Sequence, residues 1–120
     1  MERALSLHQI YRAAQPFQNR HGMDIGDIRH GSVEDKRFRG TFGCSAFVAR
    51  KAWIMIQPLP DIANPSFTNY LGALMFMYGY PLEKQMCSLM GVTDPRTMHR
   101  RIEPYVDALF ELNYEVVSSS

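Results

Sequence analysis

Helix punctuation recurs along this chain at short intervals, and it constrains the fold more than any other feature. Ser32 precedes an amphipathic stretch that Gly43 ends, Ser45 precedes another that runs to Pro58, and Ser66 precedes a third that Gly79 ends. Pro81 and Gly91 bracket a fourth, and Thr93 or Asp94 followed by Pro95 opens a fifth. Ser and Asp side chains accept hydrogen bonds from the orphan N–H groups of a first helical turn. Proline suits the first helical position, and glycine takes the left-handed conformation beyond the last. The pattern predicts an all-α chain, a small bundle of four or five short helices.

The apolar positions agree. Glu34 and Asp35 fall in the first turn after Ser32, where the helix dipole favours acids, and Phe38 and Phe42 share a face. The next helix carries Phe47, Val48, Trp53, Ile54 and Ile56, and Pro58-Leu59-Pro60 must be extended. The third, Phe67 to Tyr78, has so narrow a polar face that it is expected at the centre. Leu82 to Met90 and a final helix from Pro95 towards Asn113 complete the set. Upstream, Leu5 to Gln15 reads as a short amphipathic helix that Pro16 helps to stop, and residues 17–32 read as a mobile linker. The expected organisation is an N-terminal arm and linker over residues 1–32, a helical domain over 33–115 and a disordered tail over 116–120.

Composition narrows the class. With 120 residues, 46% hydrophobic and 21% charged, the chain suits one core in one domain. Its most apolar run, Tyr70 to Leu82, is too short for a membrane span and is interrupted by Gly72, Gly79 and Pro81. No signal peptide is evident, and Cys44 and Cys87 follow no pattern, so they read as free thiols in an intracellular reducing compartment. Six methionines (Met55, Met75, Met77, Met86, Met90 and Met98) fall within helices and read as core filling.

The last two helices carry the one constellation with a mechanism. A small residue, Cys87, lies four before the turn glycine, Gly91. Val92 follows as a plug, Thr93 and Asp94 as caps, and then a helix with Met98 and Ile102 turned inward. That is the outline of a helix-turn-helix, with a turn one residue longer than the compact form. On a helical wheel Met98, Ile102, Tyr105, Val106, Leu109 and Leu112 share one side. The first turns of this helix carry Arg96, His99, Arg100 and Arg101, and later turns carry Glu103, Asp107 and Glu111. The helix dipole prefers the opposite order. Positive charge at a helix start suits a duplex, where a recognition helix meets base edges and phosphates. The expected DNA contacts are Lys84, Arg96, Thr97, His99, Arg100 and Arg101. The plain alternative is a solvated face with local pairs such as Arg100 to Glu103. Pro104 is expected to bend the helix near residues 100–104 rather than break it.

Three stretches extend the reading. Phe38-Arg39-Gly40-Thr41-Phe42-Gly43-Cys44-Ser45, then Tyr70-Leu71-Gly72-Ala73-Leu74-Met75-Phe76-Met77, and Gly91 to Thr97 leading into Arg100-Arg101-Ile102-Glu103-Pro104-Tyr105-Val106, resemble the N-terminal helical region of eukaryotic DDE transposase-like proteins of the PIF/Harbinger type. The resemblance implies a nuclear, double-stranded-DNA-binding helix-turn-helix of the kind that precedes an RNase H-like catalytic domain. In that family the catalytic domain uses three carboxylates to hold two divalent metals. On this view the present chain binds DNA and is not itself an enzyme.

Other chemistries lack a pattern. Asp94, Glu103 and Asp107 lie along one helix face among basic neighbours rather than as a metal triad. His21, His30, His99 and the cysteines lack metal-ligand spacing, and there is no phosphate-cradling glycine loop, so no cofactor, metal or small-molecule substrate is expected. The competing class is a protein-interaction module, in which residues 33–57 offer Phe38, Phe42, Phe47 and Trp53 to a partner or to a second copy as a homodimer.

Overall fold

A computed structural model describes residues 5–20, 22–79 and 83–119, with side chains placed as far as residue 112. Among them there is no strand. Six α-helices follow one another: α1 (Leu7–Ala14), α2 (Val33–Phe42), α3 (Ala46–Ile56), α4 (Phe67–Gly79), α5 (Glu83–Met90) and α6 (Pro95–Ser119). The all-α class stands, with one helix more than the upper expectation because the segment after Ser6 forms a full helix.

The punctuation acts as its chemistry dictates. Ser6, Ser32, Ser45 and Ser66 each accept a backbone N–H three residues on, at 3.1–3.2 Å. Gly43 stops α2 in the left-handed region, at φ 82°. The expected first-position role of Pro81 lies outside the described residues.

Two aromatic clusters assemble the bundle. Trp53 of α3 packs against Phe67 and Tyr70 of α4 at 5.2 and 5.1 Å between ring centroids, and stacks on Tyr105 of α6 at 6.3 Å. Tyr11 meets Phe38, and Phe38 meets Phe42, which in turn meets Phe17, joining α1 and its following turn to α2. The core therefore begins at Ile10, which is fully buried, and not at residue 33. A short 3₁₀ turn over Gln15–Gln18 carries Phe17 inward, and Asn19 closes it in the left-handed conformation. Residues 22–31 hold no helix, but the Gln15 side-chain amide donates to the Met23 carbonyl and Asp35 accepts the Gly31 N–H.

Burial also corrects the expected interaction surface. Phe38, Phe42 and Trp53 are 0%, 2% and 3% exposed, and of the four aromatics only Phe47 faces outward, at 57%. Periodicity marked a shared face for Phe38 and Phe42, and α2 turns that face, as α3 turns Trp53, onto neighbouring helices. Of the six helical methionines, Met86, Met90 and Met98 are core, Met75 and Met77 are half-buried and Met55 is exposed.

As expected, α4 is central and packs on α1, α2, α5 and α6. At Gly72 the approach is closest: a Cβ there would meet Met90 Sδ of α5 at 3.0 Å and Ile102 Cγ2 of α6 at 3.6 Å. α6 runs unbroken across Pro104 and on to Ser119, past Val116 where the sequence reads as tail. An internal proline costs about 3 kcal/mol. Met98 and Ile102 before it, and Tyr105 and Ala108 after it, are all buried. Burying a large apolar side chain contributes about 1.5–3 kcal/mol, so packing on both sides of the proline outweighs its cost.

Candidate nucleic-acid interface

The turn between α5 and α6 is the four residues Gly91, Val92, Thr93 and Asp94. Gly91 takes φ 70°, which glycine adopts without the Cβ strain most residues would meet there. Its neighbour Val92 donates its N–H to the Cys87 carbonyl at 2.9 Å, closing α5 with the wrap-back bond of a helix C-terminus. Cys87 is buried and Val92 packs partly onto the core, as their expected roles require.

Asp94 then caps α6. Its carboxylate accepts the Thr97 N–H at 3.0 Å and the Thr97 hydroxyl at 3.1 Å. Those two bonds, with the Arg96 N–H and the nearby Arg100 charge, hold the Asp94 carboxyl below the usual range. Behind the cap, Tyr105 fixes the helix in place: its hydroxyl accepts the Ser66 N–H at 2.8 Å, tying α6 to the start of α4.

Six residues expected to touch DNA divide into two groups. Lys84, Arg96, Arg100 and Arg101 are exposed. Among the described residues, no carboxylate lies within 4 Å of any of their charged nitrogens. The Arg100 to Glu103 pair of the solvated-face alternative does not form. Thr97 and His99 are half-exposed and are also bonded to other residues of the chain. Thr97 belongs to the cap, and His99 Nε2 pairs with Glu83 Oε2 at 2.6 Å while its ring sits edge-on to Phe76 of α4 at 5.5 Å. His99 thus clasps α5 to α6 and is half-buried.

Two further residues stand beside the basic ones. Asp61, Asn64, Asn69, Arg100 and Arg101 line a hollow of about 510 Å³ between α6 and the loop before α4, so one acid shares it with the two arginines. Asn64 has φ 51°, in the conformation asparagine tolerates better than most residues. The dipeptide Asn64-Pro65 marks a turn in the sequence, but no one-dimensional pattern places it in one hollow with Arg101. Arg100 also borders a groove shared with Asp61, Glu103, Asp107 and Glu111, so the positive region ends there.

Among the described residues no three His, Cys, Asp or Glu side chains gather where a metal ion could be held, and no helix is long and apolar enough to cross a membrane. His21 lies outside them. No family model, curated protein or solved structure matches the chain.

Proposed function

We propose that this chain is a DNA-binding helix-turn-helix domain that presents the start of α6 to a duplex and performs no cleavage of its own. The observation that carries the reading is the group Lys84, Arg96, Arg100 and Arg101: four exposed cations on two adjoining helices, without carboxylate partners among the described residues. Charge placed against the helix dipole, and left unpaired, suits phosphate. Arg96 and Arg100 contact base edges or phosphate, Lys84 and Arg101 hold the backbone, and Asn64 and Asn69 add neutral donors beside them. Thr97 and His99 act by fixing the α5–α6 pair. The motif resemblance to PIF/Harbinger-type transposase-like proteins supports the same role, that of a nuclear DNA-binding module of, or derived from, such a protein.

The test is duplex binding followed by fluorescence anisotropy across a salt series. Log affinity should fall linearly with log salt, and Arg96→Ala combined with Arg100→Ala should flatten the slope by about one to two units. Salt-independent binding, or a slope the double variant leaves unchanged, would refute the assignment. Incubation with Mg²⁺ or Mn²⁺ should leave the duplex intact.

A second reading, protein–protein contact through α3, draws on a separate observation. Phe47, Val48, Ile54 and Met55 stand 42–57% exposed on its outer side.

A further inference from the structure

α3 buries only one side. Ala46, Ala49, Trp53 and Ile56 face the core, while Phe47, Val48, Ile54 and Met55 face away from it. Positions 47, 48, 51, 54 and 55 form a single stripe on a helix, so Lys51 lies in the middle of the exposed apolar residues. Its ammonium sits over the Phe47 ring, 5.9 Å from the centroid. Arg50 flanks the stripe. Neither cation has a carboxylate within 4 Å among the described residues, and α3 contains no acidic residue.

The outer side of α6 is the chemical converse. Glu103, Asp107 and Glu111 are exposed along it, and Phe110 is 61% exposed at its edge. The three acids, with Asp61, rim a groove of about 300 Å³ over Leu59, Pro104 and Ala108, and Arg100 lies at the rim as well. Among the described residues these carboxylates have no ion-pair partner within 4 Å. One face offers an apolar ring under a cation; the other offers an apolar floor inside an acidic rim.

We propose that the two faces are the halves of one contact between copies of this chain, in which α3 of one molecule docks on the α6 groove of the next. Phe47 enters over Pro104 and Ala108, and Lys51 and Arg50 meet Glu103, Asp107 and Glu111. This rests on the second reading above, α3 as a protein-contact surface; Arg100 borders both this groove and the proposed DNA face. A twofold α3-to-α3 pairing is disfavoured, because it would set Arg50 and Lys51 against the same cations of the partner. Opposite charges on distinct faces favour a head-to-tail contact, which does not close at two molecules. With so small an apolar area the contact belongs to the weak, salt-sensitive class.

Sedimentation of the full chain over a wide concentration range, at low and high salt, tests this. The average mass should rise past that of a dimer at low salt and fall back as salt is raised. Phe47→Ser with Lys51→Ser breaks one face, and Asp107→Lys with Glu111→Lys breaks the other. Each change is at an exposed position, so circular dichroism should be unaltered. Each variant alone should associate at least tenfold more weakly, whereas an equal mixture of the two should form a dimer and stop there. A wild-type chain that stays monomeric overturns the inference and leaves the α3-contact reading only in the form of contact with a different protein. Association abolished by the α3 variant but untouched by the α6 variant overturns the head-to-tail contact and leaves α3 as a symmetric interface. Association that neither variant weakens also overturns the proposal.

Discussion

Asp35 is one of two buried acids in the first turn of α2. It is buried at the first turn of α2, where it accepts the Gly31 N–H at 2.8 Å and both oxygens receive the Arg39 guanidinium at 3.1 Å. The Gly31 bond first, and Arg39 with His30 after it, outweigh burial and hold its carboxyl below the ordinary value. A carboxyl lowered in the folded state contributes stability that is fully present above its unfolded value of about 3.9. That contribution is lost as pH falls through the folded value. Thermal melts should therefore show stability dropping below about pH 4, with Asp35→Asn flattening the drop and costing about 1–3 kcal/mol at neutral pH. Asp27, drawn down to about 2 by the Arg29 side chain and N–H, titrates in the same direction from the surface. Asp35 is legible in sequence as a first-turn acid after Ser32. Its bond to the Gly31 N–H is also local, four residues apart across the Ser32 cap, whereas the burial of Asp35 depends on tertiary packing.

At the scale of the element, the helices follow from local chemistry and their crossings do not. Ser caps and Gly stops place most helix ends within a residue or two of the expected positions. Which helix lies on which depends on single close approaches such as Gly72. Adding one methyl there asks only the flexible Met90 thioether to move, and the helix gains from losing a glycine, so Gly72→Ala should be close to neutral. Gly72→Val also drives branches towards Met86 Cε and Ile102 Cγ2, both 3.6 Å from the position of the first added carbon. It should cost about 1–3 kcal/mol in urea unfolding. In the sequence, Cys87 accounts for the tight approach of α5 and α6. The structure adds Gly72, which carries α4 against both. A helix-propensity argument sees only the cost of that glycine, never the two helices it admits.

For the whole molecule, the consequence is that the N-terminal segment packs into the same core as the later helices. Ile10 is fully buried and Tyr11 is 3% exposed, in contact with Phe38. Ile10→Ala should destabilise the chain by about 2–5 kcal/mol and shift a single unfolding transition, followed by circular dichroism and Trp53 fluorescence together. A detached arm would leave the transition in place. By itself the sequence determined the all-α class, most helix boundaries though not the end of α6, the α5–α6 turn with Gly91 and its caps, and the reversed charge order of α6. These are set by interactions within four residues, and a one-dimensional string records them in full. Only the tertiary structure decided that Phe38, Phe42 and Trp53 are core, that His99 is clasped between Glu83 and Phe76, and that Asn64 and Arg101 line one hollow. Each of those depends on which of several apolar or polar faces meets which, and residues far apart in the chain compete for the same surface.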